Sequence, residues 1–221
     1  MPSEGKPATE EDRREDSLPV VTGSTSRFIP FMDVPWAFGR YLPSPHVDQR
    51  PPGTEIDLLV VHAISLPPGQ FGGSSVDDLF LGRLDTWKHP YFESLAGLRV
   101  SAHFFIDRKG VVTQYVPVMK RAWHAGVSQW RNRKACNNNS IGVELEGAEG
   151  VPFEPLQYLR LAIILRTLQQ RLPFLCDENV AGHQEIAPDR KWDPGSGFEW
   201  DRFADVLYRT GPHPSWQPVW E

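Results

Sequence analysis

Cysteine is scarce in this chain: Cys136 and Cys176 are the two in 221 residues, far apart and without a CxxC pair. Neither a disulfide framework nor a cysteine-based zinc site is expected, and a reducing compartment is the simpler home. Basic charge is also short, with 23 Lys and Arg against 28 Asp and Glu, a net charge of −5 and a pI near 5.8. Binding to nucleic-acid phosphates or an anionic membrane needs a basic field that this composition lacks. No nucleic acid and no membrane are therefore expected as partners, and any anionic ligand must meet a local cationic patch. No segment reaches the roughly 18 apolar residues of a membrane span. The opening MPSEGKPATEEDRREDSLPV has no apolar export core. The expectation is a cytoplasmic protein.

What is present is enough for one core: 221 residues, 40% of them hydrophobic, suit a single full-sized domain. Residues 1–27, rich in Glu, Asp, Arg, Ser and Pro, read as a flexible tail. Residues 28–53, Pro- and aromatic-rich, read as an irregular lead-in. The folded domain is expected over 54–210, with 211–221 as a C-terminal tail. IDLLVVHAIS is a nearly continuous apolar run, the pattern of a strand buried on both faces. A short helix is expected over Ser74–Leu81, opened by a Ser or Asp cap. RVSAHFFIDRKGVVTQYVP reads as a hairpin turning at Asp107–Gly110, and SIGVELEG as a further strand. EPLQYLRLAIILRTLQQRL carries Leu156, Leu159, Ala162, Leu165, Leu168 and Leu172 at helical spacing, with Pro155 where a missing N–H costs little. FEWDRFADVLY reads as a last amphipathic helix. The intermixing gives an α/β domain with a central mixed β-sheet flanked by helices. Trp87, Trp130 and Trp200 are assigned to packing.

His62, Glu144 and His183 each stand where an apolar strand ends or a loop begins, the place where a rigid scaffold presents side chains to a cleft. The stretch AGHQEIAPDRKWDPG then crowds His183, Asp189, Arg190, Lys191 and Asp193 into a loop with no helical or strand period. Two imidazoles and one carboxylate form a three-ligand catalytic zinc set that leaves a fourth position open, and His62, His183 and Asp193 would supply it. His183 and Asp193 are too far apart for a helical pair, so that loop must double back. Spacing alone leaves this open, since a His and an Asp ten residues apart occur in many loops.

The blocks LLVVHAISLPPGQFGG, LRVSAHFFIDRKGVVTQYVP, KRAWHAGVSQW, SIGVELEG and AGHQEIAPDRKWDPG, in this order, resemble those of the AmpD-type N-acetylmuramoyl-L-alanine amidases. The resemblance spans roughly Tyr41 to Tyr208. It implies an amidase/peptidoglycan-recognition fold, a Zn2+ cofactor, and cleavage of the amide between N-acetylmuramic acid and L-alanine in 1,6-anhydromuramyl peptides during cell-wall recycling. It further implies His62, His183 and Asp193 as zinc ligands, Glu144 as general base and Lys191 as the second catalytic residue. Glu146, two residues along the same strand face, is the rival base. Arg99, Trp123, Ala187 and Arg190 are the expected substrate contacts, with Arg121 a further anion partner; His103 and His124 read as core or metal-supporting groups. The protein is expected to act as a monomer.

Two positions depart from the family pattern. Ala63 stands where HNIS has a polar residue beside the metal. Ala135, before the cysteine of KACNNNS, replaces a basic residue that the family places near the stem-peptide carboxylate. Two rival readings are a non-catalytic muropeptide-binding protein, which would ordinarily lack a metal ligand, and an amidase of polymeric peptidoglycan, which would ordinarily carry an export signal or wall-binding domain.

Overall fold

The computed structural model describes residues 39–211. The expected tail over 1–27, the lead-in up to residue 38, and residues 212–221 lie outside the described residues. The rest of the lead-in is not irregular. It holds β1 (Arg40–Tyr41) and β2 (Val47–Gln49), which find partners far along the chain and so leave no local period to read.

The apolar run becomes β3 (Leu58–Ile64), followed by the short α1 (Ser75–Phe80) and α2 (Pro90–Glu93). Ser74 is the N-cap of α1, although its hydroxyl goes to the Asp78 carboxylate and not to the helix backbone. The expected hairpin is β4 (Phe104–Ile106) paired antiparallel with β5 (Val112–Gln114), its turn tied by Asp107. β6 (Lys120–Ala122) pairs with β2, and β7 (Gln129–Trp130) with β8 (Arg133–Lys134). SIGVELE forms β9 (Ser140–Glu146), then come α3 (Pro155–Gln169), β10 (Val180–Gly182), the single turn α4 (His183–Ile186) and α5 (Trp200–Arg209).

The main sheet runs β1-β5-β4-β9-β3-β10 and is mixed, since β5 joins β4 antiparallel and every other pairing is parallel. Side chains alternate between its faces. Leu59 and Val61 of β3, Phe104 and Ile106 of β4, and Ile141, Val143 and Leu145 of β9 share one core with Leu161, Leu165 and Leu168 of α3 and Phe203 and Leu207 of α5. That face is sealed. The opposite face receives the intervening residues, among them His62, Gly142, Glu144 and Glu146.

Three packing expectations need correction. Ala162, Leu165, Leu168 and Leu172 are buried as expected, but Leu156 is half exposed and Leu159 only partly buried, and Tyr158, Leu161 and Ile164 complete the inward stripe. Trp87 is 90% exposed and packs nothing, whereas Trp130 and Trp200 rest against core clusters. The loop after β10 is not wholly aperiodic, since α4 opens it.

Leu161 lies at the centre of the sealed face and is fully buried. Leu161→Ala is expected to lower unfolding free energy by about 2–5 kcal/mol, measured by chemical denaturation, since the sheet behind it cannot collapse to fill the gap.

Candidate metal centre and active-site cleft

β3 and β9 pair in parallel with Val60 opposite Gly142, His62 opposite Glu144 and Ile64 opposite Glu146. The alternation that buries Val61 and Val143 under α3 therefore aims His62 and Glu144 side by side at the other face. Both lie within strands and not at their ends, one difference from the sequence expectation. β10 pairs with β3 on the far side, so His183, the first residue beyond it, arrives next to His62. Asp193 is brought back by the loop, whose ends are tied by the Gln184 N–H donating to the Asp193 carbonyl (2.8 Å). At the neck of that loop Gly182 is required: a Cβ there would stand 2.8 Å from Pro194.

These elements bring three buried acceptors together. His62 Nδ1 is 2.9 Å from His183 Nδ1, and the two lie 3.1 and 3.0 Å from Asp193 Oδ2. One ligand atom from each residue can be chosen with all three within 4.8 Å of one another. Burial, then the neighbouring His183, pushes the His62 imidazole down to about 4, so it is neutral at physiological pH. Burial acts upward on Asp193, but the two imidazoles hold its carboxyl well below the usual range. His183 turns Nε2 to the carbonyl of Ala125 (3.2 Å), which can only accept, so the network assigns a proton to Nε2 and turns Nδ1 towards His62 and Asp193. Two imidazoles and a carboxylate converging on one point form a donor set that fits a divalent cation.

Glu144 stands beside this cluster and differs sharply from Glu146. Glu144 is buried, and its Oε2 has no hydrogen-bond partner among the described residues. Burial, reinforced by the charge of Asp193 and opposed by Lys191, raises its carboxyl well above the ordinary range. Glu146 is committed, Oε1 accepting from the Gly72 N–H and Oε2 from the Arg108 N–H (3.1 Å). The rival base is thus a structural tie between two loops. A cleft of about 520 Å³ opens over His62, Glu144, Asp193 and Lys191, with Trp123 on one side and an apolar side made by Leu66, Tyr91, Leu95 and Leu98. That apolar side was not visible in the sequence, because its residues come from separate short segments.

The remaining expected site residues fall away from the cleft lining. Arg190 donates to the carbonyls of Ala125 (2.6 Å) and Val127 (3.0 Å) and has no ion pair with Asp189 among those found. Ala187 is buried, its carbonyl accepting from the Arg190 and Lys191 N–H groups. Arg99 is exposed, between the lining residues Leu98 and Val100. Arg121 is already paired with Asp48 (2.6 and 2.5 Å), which answers its charge within the protein. Ala135 adopts a left-handed conformation (φ 59°) at the start of a short turn, and Ala63 is half-buried beside the main core.

Comparison with known proteins gives the family and the fold. Residues 52–196 match the family model described as N-acetylmuramoyl-L-alanine amidase. The chain is 54% identical over 168 residues to 1,6-anhydro-N-acetylmuramyl-L-alanine amidase AmpD of Salmonella typhimurium (strain SL1344), covering 76% of this chain and 89% of that one. It is 48% identical to the AmpD of Haemophilus influenzae over 76% of this chain and 91% of the other. Among solved structures, a selenomethionine AmpD crystal structure superimposes with a TM-score of 0.76 at 50% identity, covering 78% and 96% of the two chains. The Escherichia coli amidase AmiD, in complex with the substrate anhydro-N-acetylmuramic acid-L-Ala-D-γ-Glu-L-Lys, superimposes with a TM-score of 0.50 at 30% identity, covering 72% and 60%.

A cation held by the three acceptors should stabilise the fold by mass action, about 4 kcal/mol at a ligand concentration 1,000 times the dissociation constant. Thermal unfolding is expected to shift upward on adding a divalent transition metal to the unaltered chain and to stay unmoved in His183→Ala.

Proposed function

The chain belongs to the N-acetylmuramoyl-L-alanine amidase family, and we propose that it is a zinc-dependent hydrolase of free 1,6-anhydromuramyl peptides, cleaving between the lactyl group of the sugar and L-alanine. The observation that carries this reading is the unpartnered Glu144 Oε2 beside three converging, buried ligand atoms in one cleft.

His62, His183 and Asp193 would hold the zinc, leaving a position open to the cleft. Bound there, zinc would supply Lewis acidity, lowering the pKa of a bound water towards about 7 and polarising the scissile carbonyl. Glu144 then has two tasks. Its free Oε2 would take the proton of the attacking water, for which its raised proton affinity suits it, and then pass that proton to the departing alanine nitrogen. Lys191, lining the same cleft, offers a cationic donor to the oxyanion that develops as the carbonyl becomes tetrahedral. Trp123 and the apolar side opposite exclude water from the scissile bond and give the sugar ring a surface to lie on. Arg99 we assign to the rim, where it meets a stem-peptide carboxylate. Ala187 and Arg190 act by holding the loop that carries Lys191. The same reading makes the enzyme a cytoplasmic monomer of cell-wall recycling, the setting in which anhydromuropeptides occur as free small molecules.

Purified protein incubated with 1,6-anhydromuramyl tripeptide should release free peptide, lose that activity to a chelator and regain it with zinc. Intact sacculi should yield none. Zinc bound without turnover would turn the reading to a muropeptide-binding protein, and release from sacculi to an amidase of the polymer. Glu144→Gln is expected to retain zinc and lose turnover about 100- to 10,000-fold. Full activity in that variant would place the base elsewhere.

A further inference from the structure

We propose that His124 is a positioning residue for the metal centre, the middle of a one-directional hydrogen-bond relay that leaves the Nδ1 lone pair of His62 bare towards the metal. The inference rests on the zinc reading above.

The relay is anchored at a group that cannot donate. The Ser140 hydroxyl lies 2.5 Å from the Cys136 carbonyl, so its hydrogen is committed there. Ser140 Oγ also lies 3.1 Å from His124 Nε2 and must accept from it, which places the ring proton of His124 on Nε2. His124 Nδ1, 2.9 Å from His62 Nε2, is thereby an acceptor, and His62 carries its proton on Nε2. The His62 nitrogen turned towards His183 and Asp193 is then the unprotonated one. Reversing the relay would put a proton on His62 Nδ1, against the metal, and would leave the Ser140 and Cys136 oxygens facing each other with no hydrogen between them.

The backbone is shaped for this ring. Gly142, on β9 opposite Val60, has the His124 imidazole lying against it, and a Cβ at that position would fall 2.5–2.7 Å from three ring atoms. The His62 and His124 rings meet edge to face with centroids 5.0 Å apart. The Asn137 side-chain oxygen accepts from the N–H groups of both His124 (3.1 Å) and Ala125 (2.7 Å) and so fixes the segment. Two consecutive residues therefore orient both metal-binding imidazoles: His124 receives the outer N–H of His62, and the Ala125 carbonyl receives that of His183. Outer partners of this kind set which ring nitrogen faces a metal and raise its basicity.

The test is zinc affinity, measured by competition with a chromogenic chelator, together with the thermal transition of the metal-free protein. His124→Leu is expected to weaken zinc binding about 100-fold and Ser140→Ala, which leaves the ring in place but frees its Nε2, about 10-fold. His124→Asn, whose amide oxygen stands near the former Nδ1, should restore most of the affinity. Affinity in His124→Leu equal to that of the unaltered chain would overturn the relay, as would an Asn variant as weak as the Leu variant. A packing role alone would move the thermal transition and leave zinc affinity unmoved. Zinc held by the unaltered chain and lost in His183→Ala, with His124→Leu unchanged, sinks the relay alone; no zinc in the folded unaltered chain sinks the zinc reading and the relay with it.

Discussion

The parallel pairing of β3 with β9 is the contact on which the rest of the molecule depends. Its register places His62 opposite Glu144, and the two-residue alternation of strands decides that both face away from α3. A slip of β3 by one residue would turn His62 into the sealed core and send Val61 into the cleft beside Glu144. The apolar residues of the sheet thus do more than stabilise it. By demanding burial under α3 and α5, Leu59, Val61, Ile141, Val143 and Leu145 hold the polar residues between them in a single orientation.

The second half of the centre is arranged by the loop from His183 to Asp193. Its neck is narrow because Gly182 admits Pro194, and its body is clamped by Arg190 to the carbonyls of Ala125 and Val127. The Ala125 carbonyl thereby serves both Arg190 and the His183 imidazole, so the element that secures the loop also orients a ring of the candidate metal centre. The charge arrangement follows the same economy. Half-buried Arg50 donates to the carbonyls of Val118, Asn137, Asn138 and Ser140, which ties the turn carrying Asn137 to the start of β9. Of the two glutamates of β9, Glu146 is spent on backbone N–H groups and Glu144 is kept free.

Much of this was legible beforehand. The run LLVVHAI was a doubly buried strand because nothing else accommodates such apolar continuity at that length, and DRKG announced a hairpin. The five principal site residues carried their motif neighbours with them. Other features had no local signal. The strands at Arg40–Tyr41 and Val47–Gln49 exist only through distant partners, and the exposure of Leu156 at the start of α3 follows from how the helix meets the sheet. Arg121 and Arg190 looked like free cations, but a sequence does not show that Asp48 or a pair of carbonyls will be waiting for them.

By itself, the sequence determined the class of fold, the family and the chemistry of the donor set, because hydrophobic period and side-chain type are local properties. Only the tertiary structure decided which glutamate is free, which ring nitrogen faces the centre and which residues wall the cleft. Those are questions of partners, and a buried polar group acquires its role from whatever the fold places within hydrogen-bonding distance of it.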